Sequence, residues 1–218
     1  MKKLIAAIFG LGAVAVLGVG AAVAMQPDSI HVERSITIDA TADDLWPHVS
    51  DAKLQHAWSP WKDRDPNATY TYTDPTTGVG SGYSWEGNDE VGVGSLTTIS
   101  ESENQEVVSE LVFVSPWESQ AEASFELVAK GDKTEVTWNY DQEADFGTKM
   151  MGLFMNMDDM LGPDYEEGLQ NLKEVGEETA ANRIEAAEKA EQERIAAEER
   201  AEERAADQKA NIRANRNR

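Results

Sequence analysis

The chain has 218 residues, with 41 acidic and 19 basic side chains, no cysteine and 40% apolar residues. Lack of cysteine excludes a disulfide framework, a thiolate nucleophile and any Cys-ligated zinc or iron–sulfur site. A formal net charge of −22 argues against a broad nucleic-acid surface, because phosphate contacts depend on Lys and Arg.

Residues 1–25 open with Lys2 and Lys3, followed by an uncharged apolar run of 22 residues from Leu4 to Met25. As a helix this run spans roughly 33 Å, against a hydrocarbon core of about 30 Å. It exceeds the usual signal-peptide core of about 7–15 residues, which favours an uncleaved membrane anchor. A signal peptide cleaved after Ala22-Val23-Ala24 is the alternative. Under either reading the two lysines stay cytoplasmic and the rest of the chain faces the periplasm or the exterior.

A middle domain, 26–175, carries the charge imbalance: residues 26–172 hold 29 acidic and 7 basic side chains. Alternation of Ile30, Val32, Ile36 and Ile38 with polar residues predicts a first strand. Thr41 is placed to cap a short helix with Asp43 and Asp44 in its first turn, and Pro47 should kink it or keep it short. A loop, 56–62, is expected next. Six strands follow, over 68–74, 81–87, 93–101, 106–114, 120–129 and 133–141, punctuated by Gly, Pro, Asn and Asp. Ala121, Ala123, Phe125 and Leu127 alternate with polar residues, as do Val136, Trp138 and Tyr140, the pattern of a meander with one wet face. After Phe146 a helical stripe of Met150, Phe154, Met157 and Leu161 is expected to break at Gly162-Pro163. A new helix, with Tyr165, Leu169 and Leu172 on its apolar side, should begin there.

The order of strand, helix pair, six strands and long helix is that of the helix-grip fold. The stretches His31-Val32-Glu33-Arg34-Ser35-Ile36, Trp58-Ser59-Pro60-Trp61, Tyr83-Ser84-Trp85-Glu86-Gly87-Asn88 and Met151-Gly152-Leu153-Phe154-Met155 occur in sequence, followed by 161–169. With these segments the chain resembles the SRPBCC (START-like) superfamily, in its polyketide cyclase/dehydrase and lipid transport branch. The resemblance implies an α+β domain in which a curved, seven-stranded antiparallel sheet wraps a long C-terminal helix around a cavity. Such a fold hosts cyclases, lipid carriers and other ligand binders, so the site must decide the function.

The pocket expected from this fold is walled by Trp58, Trp61, Tyr83, Trp85, Phe113, Phe125, Trp138, Phe154, Met157 and Leu161. Arg34 occupies the apolar phase of the first strand and needs a partner. A salt bridge to Asp164 or Glu167 is the favoured reading, with anchoring of a ligand's acidic headgroup as the alternative. No cofactor and no metal are expected: His48, His56 and Asp51 lack the fixed spacing of a metal-binding pair. Neither Asp158-Asp159 nor Glu86 forms a convincing acid–base pair, and no nucleophile elbow or Walker lysine exists.

The tail, 176–218, is an Ala-, Glu- and Arg-rich helix former. Glu185–Lys189 and Glu191–Arg194 are the ion pairs its spacing predicts. Val175, Ile184 and Ile195 are too sparse for a firm coiled-coil seam. Four positive charges between Lys209 and Arg218 offer contact with a protein or an anionic surface. The sequence therefore points first to an exported, membrane-anchored domain binding a hydrophobic or lipid-like small molecule. A cyclase- or hydrolase-like enzyme on a hydrophobic substrate, or an interaction module acting through the tail, are the rival readings.

Overall fold

A computed structural model describes residues 18–216, the side chains of 207, 208, 210, 211 and 214 excepted. Seven strands form one antiparallel sheet: β1 (Ser29–Ile38), β2 (Thr69–Tyr72), β3 (Gly82–Glu86), β4 (Val93–Ser102), β5 (Glu106–Ser115), β6 (Ser119–Lys130) and β7 (Lys133–Glu143). Their order is β1-β7-β6-β5-β4-β3-β2, so β1 returns to pair with β7 and all other neighbours are consecutive hairpin partners. The period-2 pattern sets the register: Val32, Val136, Phe125 and Val107 face inward and are almost fully buried. Register shifts at Val93/Gly94 and Thr98/Ser100 between β4 and β5 add the local bend that bulges produce.

Helix α1 (Ala42–Ser50) begins as the sequence predicts, with a capping box in which Thr41 and Asp44 bond each other's backbone N–H. The helix ends at Ser50, three residues past Pro47. Asp51 then caps a second helix, α2 (Ala52–Trp58), accepting from the N–H groups of Lys53 and Leu54 at 2.8 and 3.1 Å. His56, Ala57 and Trp58 thus belong to a helix rather than to the expected loop, and Asp51 is the residue responsible.

The C-terminal helices differ from expectation in where they break. Helix α3 (Phe146–Met151) stops after two turns, and α4 (Met157–Arg216) starts beyond residues 152–156 and runs unbroken through Gly162 and Pro163. Asn156 caps the start of α4, its Oδ1 accepting from the Asp158 N–H at 3.1 Å. Pro163 lies in the second turn, where only the Asp159 carbonyl loses a donor. Tyr165, Leu169, Leu172 and Ala180 make the buried stripe of α4, joining Leu45 and Val49 of α1 and the inner sheet face in one core. Arg183 closes this contact by donating to the buried Asp44 carboxylate at 2.7 and 3.0 Å.

Beyond Ala180 the described side chains of the helix are almost all exposed. Its 60 residues make a rod of about 90 Å. Arg194 bridges Glu191 and Glu198, while the Glu185–Lys189 pair predicted from spacing is not closed. Residues 1–17, the greater part of the expected anchor, lie outside the described residues, as do Asn217 and Arg218. Among the described residues no helix is long and apolar enough to cross a membrane.

Candidate functional site

Between the inner sheet face, α2 and the first turns of α4 lies a cavity of about 200 Å³. Eight of the ten residues expected in its walls are there: Trp58, Trp61, Tyr83, Trp85, Phe113, Phe125, Trp138 and Leu161. Phe154 is not, being 83% exposed in the break between α3 and α4. Met157 packs against the core but does not reach the cavity. The stripe assigned to one continuous helix is interrupted at 152–156, so Phe154 leaves its phase.

Trp138 is the centre of the aromatic wall. It stacks on Tyr165, with centroids 4.0 Å apart and an interplanar angle of 10°. Trp58 and Trp61 meet it edge-on at 5.5 and 5.7 Å, and Phe125 lies tilted at 4.9 Å. Gly168 makes the stack possible, because a Cβ there would fall 2.6 Å from Trp138 Cζ3. Trp85, set against Phe113 at 5.8 Å and Tyr83 at 5.9 Å, closes the other end.

Hydrogen bonds divide the four cavity tryptophans. Trp58 donates to the His48 carbonyl at 2.8 Å, Trp61 to Asp164 Oδ2 at 3.0 Å and Trp85 to the Val91 carbonyl at 3.1 Å. The Trp138 N–H is buried without a protein partner.

Sequence reading did not place His56, Tyr70, Leu96, Ser109, Leu111, Ala123, Tyr140 and Tyr165 in the wall, though all line it. For Ser109, Leu111, Ala123 and Tyr140 a signal was available: they share the inward phase of their strands. For His56 none was, because its neighbours come from β2 and β3. Its ring lies 3.9 Å from that of Tyr70 and 5.6 Å from that of Tyr83, and Nδ1 is hydrogen-bonded to the Tyr72 hydroxyl. Nε2 is buried and unpartnered. Burial holds the His56 pKa below its ordinary value and so favours the neutral imidazole. The same desolvation raises the phenols of Tyr83 and Tyr165, and pushes Tyr140 up to about 12, so all three stay protonated.

Arg34 does not enter the cavity. Its guanidinium pairs with Asp158 at 2.8 Å and Glu166 at 2.9 Å, not with Asp164 or Glu167. The unbroken α4 explains the exchange, because Asp158, Gly162 and Glu166 fall on one helix face at intervals of four. Arg34 lies against that face at Gly162, where a Cβ would be 2.1 Å from Nη2. Asp164 instead receives Trp61 and Arg64.

His48, His56 and Asp51 are engaged separately: His48 with Thr179 Oγ1 at 2.9 Å, His56 with Tyr72, and Asp51 with the α2 backbone. Among the described residues no group of three or more His, Asp or Glu is placed to hold a metal ion. The outer sheet face carries Glu33, Glu106, Glu122, Glu126 and Asp141, with His31 bonded to Asp141 at 2.8 Å.

Comparison with known proteins gives one family match, described as polyketide cyclase / dehydrase and lipid transport, over residues 29–177. No curated protein matches the sequence. Among solved structures, Mll3558 from Rhizobium loti superposes with a TM-score of 0.51 at 16% identity, covering 68% of this chain and 99% of its own. The Aha1 dimer from Colwellia psychrerythraea gives 0.50 at 16% identity, with 68% and 96% covered. At these identities the likeness establishes the fold.

Proposed function

Because the chain belongs to the polyketide cyclase / dehydrase and lipid transport family, whose fold is a ligand-binding one, we propose that it binds one small, ring-bearing hydrophobic molecule in its aromatic cavity. The observation that carries this reading is a partly open cavity of about 200 Å³ whose wall is dominated by Trp, Tyr and Phe. An apolar cavity of roughly 150 Å³ accepts benzene, and pockets for drug-sized ligands span about 300–1,000 Å³. The size therefore favours a compound of one or two rings over a diacyl lipid. Titration of the full chain with naphthalene and with a diacyl phospholipid, followed by tryptophan fluorescence, tests this. Saturable one-to-one binding of naphthalene alone is expected; no saturation, or preference for the phospholipid, overturns it.

Location is the second part of the proposal: the chain is held at a membrane by the apolar run ending at Met25. Supporting it, Phe146, Met151, Phe154 and Met155 are exposed on and beside α3, where Lys149 pairs with Asp28, three residues past the run. Flotation of the full chain with lipid vesicles is the test. Co-migration is expected, and quantitative recovery in the vesicle-free fraction contradicts it.

A further inference from the structure

The exposed part of α4 lies beyond the family match, which ends at residue 177, and its charges are sorted along one face. Alternating steps of four and three residues from Ile184 stay on a single side of the helix, the spacing of a two-helix seam. From 184 to 202 this line holds Ile184, Ile195 and four carboxylates, Glu188, Glu191, Glu198 and Glu202. From 205 to 216 it holds Ala205, Lys209, Ile212 and Arg216, so the sign of the charge reverses along the rod. Ile184, Ile195 and Ile212 are 50%, 46% and 67% exposed, leaving much of each side chain unpacked within the chain.

A second copy of the rod fits this line, and in one direction only. Laid parallel, every position meets itself, so the four carboxylates, Lys209 and Arg216 all face like charge. Laid antiparallel, Glu191 can face Arg216 of the second copy. Ile195 then faces Ile212, Glu198 faces Lys209 and Glu202 faces Ala205. The two-fold axis passes between Glu203 and Arg204 and repeats each pair. No like charges meet along the line. A shift of one heptad either way separates the isoleucines, and in one direction it also sets Glu198 against Glu202. Arg194 already donates to Glu191 and Glu198, but the three together keep a net negative charge, and carboxylate oxygens accept further bonds.

We propose that residues 191–216 are a homodimerisation surface, pairing antiparallel with the same segment of a second copy over about 39 Å. The interface is isologous and closes on itself, so it makes dimers and not filaments. It holds the two globular domains at opposite ends of the paired rods. Charge carries most of the complementarity, so salt weakens the pairing.

Because the chain has no cysteine, Ala187→Cys places one spin label on each copy, outside the paired segment. Pulsed dipolar spectroscopy of the full chain in a nonionic detergent then reads both the separation of labels and the fraction paired. The expected separation is about 50 Å, since the two labels lie beyond opposite ends of the overlap. The dissociation constant should rise at least about tenfold between about 50 and 500 mM salt. Glu191→Lys with Glu198→Lys in one chain, and Lys209→Glu with Arg216→Glu in another, should each abolish pairing. An equimolar mixture of these two variants should pair again at the same separation, which shows that neither had merely misfolded. A separation of about 10–20 Å, the parallel arrangement, overturns the proposal. So does pairing that the charge variants leave unchanged, or a mixture that fails to pair. No pairing at chain concentrations up to about 0.5 mM overturns it as well, whether or not the free rod binds anionic vesicles.

Discussion

Replacing Ala123 by leucine distinguishes an open cavity from a closed core by the sign of its effect. Ala123 sits on β6 between Ser109 and Tyr140 of the neighbouring strands, is 6% exposed and points into the cavity. Leucine adds three carbons. At about 0.8 kcal/mol for each buried CH₂ the gain is about 2.4 kcal/mol. Fixing the leucine rotamer costs about 0.5–1 kcal/mol, leaving about 1.5 kcal/mol of net stabilisation. For a domain of this size that corresponds to a rise in Tm of roughly 3–6 °C. A close-packed site would respond oppositely, losing about 1–3 kcal/mol to overpacking. Thermal unfolding followed by circular dichroism gives the sign, and a parallel fluorescence titration gives the ligand affinity, expected to weaken at least about tenfold as the space is filled. A fall in Tm of several degrees with unchanged affinity would refute the reasoning.

The other predictions concern the surroundings of the cavity. Arg34→Met breaks the pairs with Asp158 and Glu166, whose side chains are half or more exposed, so a loss of about 1 kcal/mol in urea unfolding and no change in ligand affinity is expected; a large loss of affinity would instead make Arg34 a ligand anchor. Lowering the pH should reduce Tm in two stages. Burial depresses the His48 and His56 pKa values below 6.5, so stability present above that pH is lost as it falls further. Asp44 is held at about 2, chiefly by Arg183, and its contribution is lost between about pH 3.8 and 2. His56→Phe should flatten the first stage, and an unchanged profile would exclude His56 from it. Removing residues 187–218 should leave Tm within about a degree, whereas removing 176–218 deletes Ala180 and Arg183 and should lower it clearly; equal effects would place the end of the packed helix elsewhere.

How much of this was legible beforehand depends on the range over which each signal acts. Alternation in β6 and β7, and the Thr41 cap of α1, are local properties, and the structure follows them closely. The helix runs through Gly162-Pro163, where a break is expected from the sequence: Pro163 in the second turn removes a single bond, to the Asp159 carbonyl, and the packing of Tyr165, Leu169 and Leu172 beyond it outweighs that loss. Gly162 serves another purpose, admitting the Arg34 guanidinium against α4. Trp58, Trp61 and Trp85 could be named because they lie in the segments that carry the family resemblance; aromatic character alone does not decide it, since Trp117 is exposed and Trp46 packs outside the cavity. His56 could not be assigned to it, since its partners Tyr70 and Tyr72 reach it only through the pairing of β2 with β3 at the far edge of the sheet. Nor does any local pattern reveal that one tryptophan of four lacks an acceptor.

The measurement that bears most directly on the central claim is native mass spectrometry of the full chain purified from its own host, followed by solvent extraction and identification of whatever is released. The account predicts one small hydrophobic molecule per chain, of one or two rings, absent from the Ala123→Leu variant. A ligand-free mass together with no saturable uptake of naphthalene, or a diacyl lipid in stoichiometric amount, would contradict it.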